Sequence, residues 1–169
     1  MRLQTKEIAV FGILGALMYV SKFIMELFPN IHLIGVFVVA MTAVYRKKAL
    51  YSIYIYVFLC GLLIGFGAWW IPQLYIWTVL WGMAMLIPEK APQKVKWILS
   101  MIVCSLHGFT YGILYAPVHA LLFGLDWNGM IAWIAAGAVW DMVHGVSNLL
   151  CSLLIVPLIN LLKRIDARR

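Results

Sequence analysis

The stretch that decides the fold is IHLIGVFVVAMTAVYRKK, residues 31–48. It begins with an apolar segment, residues 31–45, and ends in three consecutive cations, Arg46, Lys47 and Lys48. A helix that spans a bilayer needs about 20 apolar residues, and this segment is shorter. If it did not span, the cations would lie opposite the amino terminus, although cationic loops normally stay on the cytoplasmic side. The charges therefore predict that the segment crosses the membrane.

The other basic residues follow the same pattern. Of the thirteen Lys and Arg residues, all except Lys22 fall near the chain ends or in every second gap between apolar runs. Hydrophobic residues make up 65% of the 169 residues, charged residues 11%, and mean hydropathy is +0.98. This composition is typical of a chain whose solvent is lipid. The clusters are Arg2 and Lys6; Arg46, Lys47 and Lys48; Lys90, Lys94 and Lys96; and Lys163, Arg164, Arg168 and Arg169.

Apolar runs and charges together predict an all-α membrane protein with six transmembrane helices and both termini in the cytoplasm. Residues 1–169 are expected to form a single integral membrane domain, because no long hydrophilic segment interrupts the runs. The last run is too long for one crossing, so Met130 to Ala138 is expected to be an extracellular cap or a re-entrant piece. The predicted spans are roughly residues 8–28, 31–45, 49–67, 69–87, 97–122 and 139–162.

Several enzyme classes lack their usual motifs in this chain. It has no G-x-x-x-x-G-K-[ST] phosphate loop, no G-x-S-x-G nucleophile elbow and no H-E-x-x-H metal motif. We therefore expect a protein that is not an enzyme, with no cofactor and no metal. Cys60, Cys104 and Cys151 lie far apart inside apolar runs, which predicts small apolar packing residues. The net charge of +7 does not indicate nucleic-acid binding, because the cations lie in short gaps between apolar runs.

Polar residues inside the predicted spans are candidates for function, since placing them in lipid is costly. Asp141, His144 and Asn148 are spaced by three and four residues, so a helix places them on one face near the outer boundary. That face offers an anion, a titratable imidazole and an amide that both donates and accepts. They are therefore predicted substrate contacts. The alternative is that they satisfy one another while they brace the bundle.

Two further helical faces carry polar and aromatic side chains at the same predicted depth. Together with the last helix they predict an aromatic-walled cavity that opens to the outside. Glu26 is a further candidate contact, and the alternative is a local ion pair with Lys22, one helical turn away. The two faces consist of His107 and Tyr111 in the fifth run and of Gln73 and Trp77 in the fourth run.

The first predicted helix carries a strip of small residues. Ala9, Gly12 and Ala16 recur at spacings of three and four residues and therefore lie on one helix face. Close packing inside the bundle is one interpretation of the strip. Because an end helix is also available to another subunit, we predict that these three residues dock a partner.

The chain resembles the substrate-binding S components of energy-coupling factor (ECF) transporters. The resemblance covers essentially the whole chain and rests on a combination of features. These are six short spans, small residues on the first helix, the turn Pro29-Asn30, and HGVSN at residues 144–148 ahead of Pro157-Leu158. The typical A-x-x-x-A pattern of the first helix is represented here by Gly12 and Ala16.

The resemblance implies a function. S components bind a vitamin, a cofactor precursor or a related micronutrient from outside. They dock through their first helices onto a transmembrane coupling subunit, which two ATPase subunits drive. The chain would then be the specificity subunit of an ABC-type importer in the cell membrane of a prokaryote, without a nucleic-acid partner. The implied pocket contacts are Asp141, His144, Asn148 and Gln73, with Trp77 and Tyr111 as stacking walls.

Two other functions stay open at this point. A membrane-embedded enzyme or a haem-binding protein would use His107 and His144. A structural or assembly subunit would bind no ligand. Tight binding of a small molecule without metal would favour the importer, whereas a haem spectrum or a bound metal would favour the second function.

Overall fold

The computed structural model describes residues 3–28 and 30–167, and all regular structure in these ranges is helical. The predicted all-α class is confirmed. Arg2, Pro29, Arg168 and Arg169, which belong to the predicted clusters and turn, lie outside the described residues. The described chain forms helices α1 (Thr5–Met25), α2 (Ile34–Tyr45), α3 (Ala49–Ile64), α4 (Gln73–Met85), α5 (Gln93–Phe109), α6 (Tyr111–Phe123), α7 (Trp127–Cys151) and α8 (Ile155–Asp166).

The described chain contains long apolar helices, as expected for a protein that lies in lipid. Their outward faces carry large apolar side chains; Phe23 and Ile24 on α1, for example, are 64% and 65% exposed. Apolar surface of this extent is stable in lipid and not in water. The length and composition of these helices therefore indicate a membrane protein. Four helical stretches of the described chain are long and apolar enough to cross a bilayer, Thr5–Met25, Ile34–Ile64, Gln93–Phe123 and Trp127–Ala167.

The chain reverses direction inside the second of these stretches, at Arg46. This residue has a positive φ of 52°, which is uncommon for a side chain larger than glycine. Three contacts hold it: its carbonyl oxygen accepts from Trp81 Nε1 at 3.1 Å, and its guanidinium donates to the Met85 carbonyl oxygen at 3.0 Å and pairs with Glu89 at 2.9 Å. The predicted basic cluster is thus the turn between α2 and α3.

Helix α2 forms the centre of the bundle. Nine of its 12 residues are buried, because it packs between α4 and α8. Most sides of α2 therefore contact protein. The helix is about 18 Å long, which is shorter than a bilayer core. Helices α1 and α3 lie parallel to each other at the edge of the bundle and pack closely. Between them, Ser52 Oγ donates to the Phe11 carbonyl oxygen at 3.0 Å.

Helices α5 and α7 form the most extensive antiparallel pair. Ser105 Oγ donates to the Gly145 carbonyl oxygen at 3.0 Å, and the two backbones approach closely at Gly108. A methyl group placed at Gly108 would lie 2.8 Å from Gly145 Cα, so only hydrogen fits there. After Thr110 the helix axis is interrupted, and α6 continues the path of α5.

The segment from Met130 to Ala138 is helical. It belongs to the continuous helix α7, which begins at Trp127 after Asp126 accepts the N-terminal hydrogen bond of Gly129 at 2.7 Å. This part of α7 packs against α6 and so forms an antiparallel helical hairpin, called here the α6–α7 hairpin, residues 111–143. Its expected role as an extracellular cap or a re-entrant piece stays a prediction. Aromatic stacking joins its two arms, with His119 and Trp133 ring centroids 4.5 Å apart.

Basic residues gather at one end of the bundle, called here the basic end. The Lys48 ammonium lies 2.5 Å from the Glu7 carboxylate, and Lys96 Nζ donates to the Glu89 carbonyl oxygen at 3.1 Å. Tyr45 contacts the carbonyl oxygen of Leu162 and thereby brings the end of α8 to the same place. The basic end therefore collects the start of α1, the α2–α3 turn, the α4–α5 connection and the end of α8.

Candidate functional site

A cavity of about 410 Å³ lies at the end of the bundle opposite the basic end. It is enclosed where α1 and α3 end and where α2 and α4 begin, with α6 and α7 completing the wall. Its volume falls within the range of small-molecule sites, about 300–1,000 Å³. The lining residues are Lys22, Glu26, Asn30, His32, Tyr56, Cys60, Ile64, Trp69, Gln73, Trp77, Tyr111 and His144.

Five of the predicted contacts line this cavity together. They come from four separate helices or helix ends, so the fold brings together residues that are up to 118 positions apart. Aromatic rings and polar groups both line the space, as in many small-molecule sites. These five residues are Glu26, Gln73, Trp77, Tyr111 and His144.

Gln73 orients the two aromatic walls. Its Oε1 accepts from Trp77 Nε1 at 2.6 Å, and its Nε2 donates to the Tyr111 hydroxyl oxygen at 2.8 Å. Both ends of the amide are thus engaged by protein. The Tyr111 hydroxyl, used here as an acceptor, retains its proton for donation to a ligand. Gln73 is therefore chiefly a positioning residue for Trp77 and Tyr111.

Two histidines present unused ring nitrogens at the cavity. The His32 and His144 ring centroids are 4.7 Å apart. His32 Nδ1 and His144 Nε2 are both buried and have no hydrogen-bond partner among the described residues. A buried polar atom without a partner is costly, so each nitrogen is available for a hydrogen bond to a ligand.

His32 was missing from the sequence-based candidates. It lies in the turn between α1 and α2, where helical periodicity gives no signal. The available signal was a titratable side chain two residues after Asn30, at the start of the second apolar run. Its ring packs edge to face against Trp77, with centroids 5.8 Å apart.

Two predicted contacts lie beneath the cavity and do not line it. His107 is fully buried, donates from Nε2 to the Ile76 carbonyl oxygen at 3.1 Å, and packs against Trp77 at a centroid distance of 5.5 Å. Asn148 is also fully buried, and its Nδ2 donates to the Cys104 carbonyl oxygen at 3.1 Å. Both residues thus support the floor of the site, and direct contact of either with a substrate stays a prediction.

Asp141 lies on the other side of Tyr111 and faces a neighbouring groove. Its carboxylate accepts from the Gly112 backbone N–H, with oxygen distances of 3.0 and 3.1 Å. Asp141, His144 and Asn148 share one face of α7, as their spacing predicts. They lie at successive depths, because seven residues of helix extend about 10 Å. Asp141 therefore belongs to the groove, His144 to the cavity and Asn148 to the core.

Glu26 forms the predicted local ion pair. Its carboxylate lies 3.3 Å from Lys22 Nζ, and both residues also line the cavity. Glu26 is therefore both the partner of Lys22 in a local ion pair and a residue of the cavity lining. The pair places one charge of each sign at the rim of the cavity. A ligand that reaches the rim would meet both charges.

The predicted docking strip lies on the outer face of α1. Ala9 and Ala16 are exposed, and a methyl group placed at Gly12 would meet no atom within 4 Å. The side of α1 that carries Leu14 and Gly15 packs against α3. No helix of the described chain covers the strip.

The described residues contain no group of three or more His, Cys, Asp or Glu side chains that could hold a metal ion. Comparison of the chain with protein-family models, with curated proteins and with solved structures gave no match.

Proposed function

We propose that the chain is the substrate-binding S component of an ECF-type importer. It would bind a small vitamin, cofactor precursor or related micronutrient from outside and deliver it inward with a separate coupling and ATPase module. The observation that carries this proposal is the cavity of about 410 Å³, which is lined by aromatic rings and by two histidines that each have one buried ring nitrogen without a partner.

The position of the cavity supports the proposed topology of six spans with both termini in the cytoplasm. Basic residues concentrate at the opposite end of the bundle, in the α2–α3 turn and the α4–α5 connection. Because basic loops remain on the cytoplasmic side, the cavity end would face outward. A substrate could then enter from outside without crossing the bilayer core.

The chemistry of the cavity favours a planar heterocycle with hydrogen-bonding edges. Trp77 and Tyr111 offer ring faces, and His32 and His144, whose ring centroids are 4.7 Å apart, each offer one ring nitrogen without a partner. A heterocycle that lies against both rings would offer a partner to each nitrogen. An analogue without ring heteroatoms would leave them unpaired, so the site would discriminate strongly against it.

The outer face of α1 supports a partner in the membrane. Without a hydrophobic driving force in lipid, helices associate through close backbone approach, which small residues permit. Ala9, Gly12 and Ala16 provide such a surface, and the described chain leaves it uncovered. It fits a helix of the proposed coupling subunit.

Copurification tests the proposed assembly. The tagged chain, isolated in mild detergent from the cells that produce it, should carry a coupling subunit and two ATPase subunits with the phosphate loop that this chain lacks. Gly12→Leu should abolish this association. Gly82→Leu on α4 is the matched control, because a side chain at either helical glycine meets open space. Retention of the complex by Gly12→Leu, or absence of any ATPase from the wild-type preparation, would contradict the proposal.

A further inference from the structure

A second concave site lies beside the cavity. It is a groove of about 640 Å³ on the inner side of the α6–α7 hairpin, and it shares Asn30 and Tyr111 with the cavity. Nothing in the proposed importer function requires this groove. Its walls differ in chemistry from those of the cavity, since they consist of stacked aromatic rings and a single carboxylate.

The aromatic wall is built from both arms of the hairpin. The Trp133 indole on α7 stacks on the Tyr115 and His119 rings of α6, at centroid distances of 5.8 and 4.5 Å and interplanar angles of 19° and 26°. Trp140, about two helical turns further along α7, also lines the groove. The negative faces of such rings attract cations, and Trp is the strongest of them.

The carboxylate in the groove is that of Asp141, and it lacks a counter-ion. It forms no ion pair with any residue in the ranges 3–28 and 30–167. Its recorded hydrogen bonds are those with the Gly112 N–H. By contrast, all three glutamates of the chain have cationic partners: Glu7 pairs with Lys48, Glu26 with Lys22 and Glu89 with Arg46.

If Asp141 only capped the start of α6, its negative charge would not be required. The Gly112 N–H is a single donor at the start of α6, and a neutral Asn or Ser side chain would satisfy it as well. A half-buried anion without a counter-ion in an apolar protein is unfavourable. A cation bound between the carboxylate and the rings would remove that cost and use the aromatic faces at the same time.

We propose that this groove binds an organic cation, such as an alkylammonium group or an N-alkylated heteroaromatic ring. The cation contacts the Asp141 carboxylate and the aromatic rings that line the groove with it. Because the groove and the cavity share Tyr111 and Asn30, one ligand with a heterocyclic end and a cationic end could occupy both. Cation binding does not depend on the importer, since it rests on the groove alone.

Fluorine NMR of the whole chain in lipid nanodiscs tests the proposal. With 5-fluorotryptophan in place of tryptophan, the Trp133 and Trp140 resonances are assigned by single Trp→Phe substitutions and titrated with tetramethylammonium chloride. The neutral isostere tert-butanol and sodium chloride at equal ionic strength serve as controls. We expect a saturable shift of both resonances with tetramethylammonium and none with either control. No saturable shift, or an equal response to tert-butanol, would overturn the proposal.

Variants of Asp141 distinguish the effect of its negative charge from the effect of its hydrogen bond with the Gly112 N–H. Asp141→Asn keeps an oxygen for the Gly112 N–H and removes the charge, and we expect it to weaken tetramethylammonium binding at least about tenfold. Asp126→Asn is the matched control, since Asp126 also caps a helix but lies outside the groove, and it should bind as wild type. Tyr115→Leu, which removes an aromatic wall without touching the cap, should weaken binding as well. Wild-type affinity in Asp141→Asn would show that the groove does not recognise charge.

Discussion

Two glycines of α1, one helical turn apart, provide the sharpest test of how the first helix is packed. Gly15 faces α3, where a methyl group would lie 2.6 Å from Ile55 Cγ2 and 2.9 Å from the Ser52 carbonyl oxygen. Gly12 faces outward, and a methyl group there meets no atom within 4 Å. The same substitution, Gly→Ala, should therefore have opposite consequences at the two positions.

The expected quantity is the difference in the free energy of unfolding between the two variants. Both gain the same helix propensity, about 0.5–1 kcal/mol, because alanine loses less backbone entropy than glycine. Only Gly15→Ala adds overpacking, which typically costs about 1–3 kcal/mol. The neighbours cannot yield easily, since one is backbone and the other is a β-branched side chain with a restricted χ1. Gly15→Ala should thus be less stable than Gly12→Ala by about 1–3 kcal/mol.

The assay is unfolding of both variants and wild type in mixed micelles by titration with sodium dodecyl sulfate, followed by tryptophan fluorescence. Gly12→Ala should have a midpoint at or above that of wild type, whereas the midpoint of Gly15→Ala should be lower. Equal midpoints for the two variants would refute the close contact of α1 with α3. A lower midpoint for Gly12→Ala would mean that the strip is packed within the monomer.

Three further predictions concern the site and the docking strip. Gln73→Leu should weaken ligand binding about tenfold or more without unfolding the protein, because Trp77 and Tyr111 lose their common partner; calorimetry with the copurified ligand measures this, and unchanged affinity would contradict it. Asn148→Ala should lower the free energy of unfolding by about 1–3 kcal/mol, because a buried carbonyl oxygen loses its donor, and an unchanged unfolding midpoint would argue against that role. Ala16→Leu should leave ligand affinity unchanged and abolish association with the coupling subunit; loss of ligand binding would place the strip inside the site instead.

Charge predicted a helix boundary that apolar length alone left open. The cluster at residues 46–48 separates α2 from α3 at Tyr45 and Ala49, because a run of cations cannot continue a membrane helix into lipid. Length alone was a poorer guide in the last run. There, a bilayer-thickness argument predicted a membrane boundary before residue 139, whereas the helix itself, α7, is continuous from Trp127 to Cys151.

Helical spacing predicted which site residues share a face and not the depth at which each one lies. Asp141, His144 and Asn148 form one stripe, yet neighbours from three different parts of the chain make them part of a groove, a cavity wall and a core. Helical spacing could not identify His32, because the residue lies in a turn, where side chains do not recur with a helical period. Such positions depend on tertiary packing, which a period of 3.6 residues does not encode.

The central claim, that the cavity holds a small molecule through two imidazoles, is tested most directly by mass spectrometry of the molecules released from purified protein. Wild-type chain and the double variant His32→Ala/His144→Ala are purified in parallel, with Asn160→Ala, an exposed position on α8, as the control. A planar heteroaromatic compound should be recovered from wild type and from the control at about one molecule per chain, and should be absent from the double variant. Equal recovery from the double variant, no compound from wild type, or haem in its place would contradict this account.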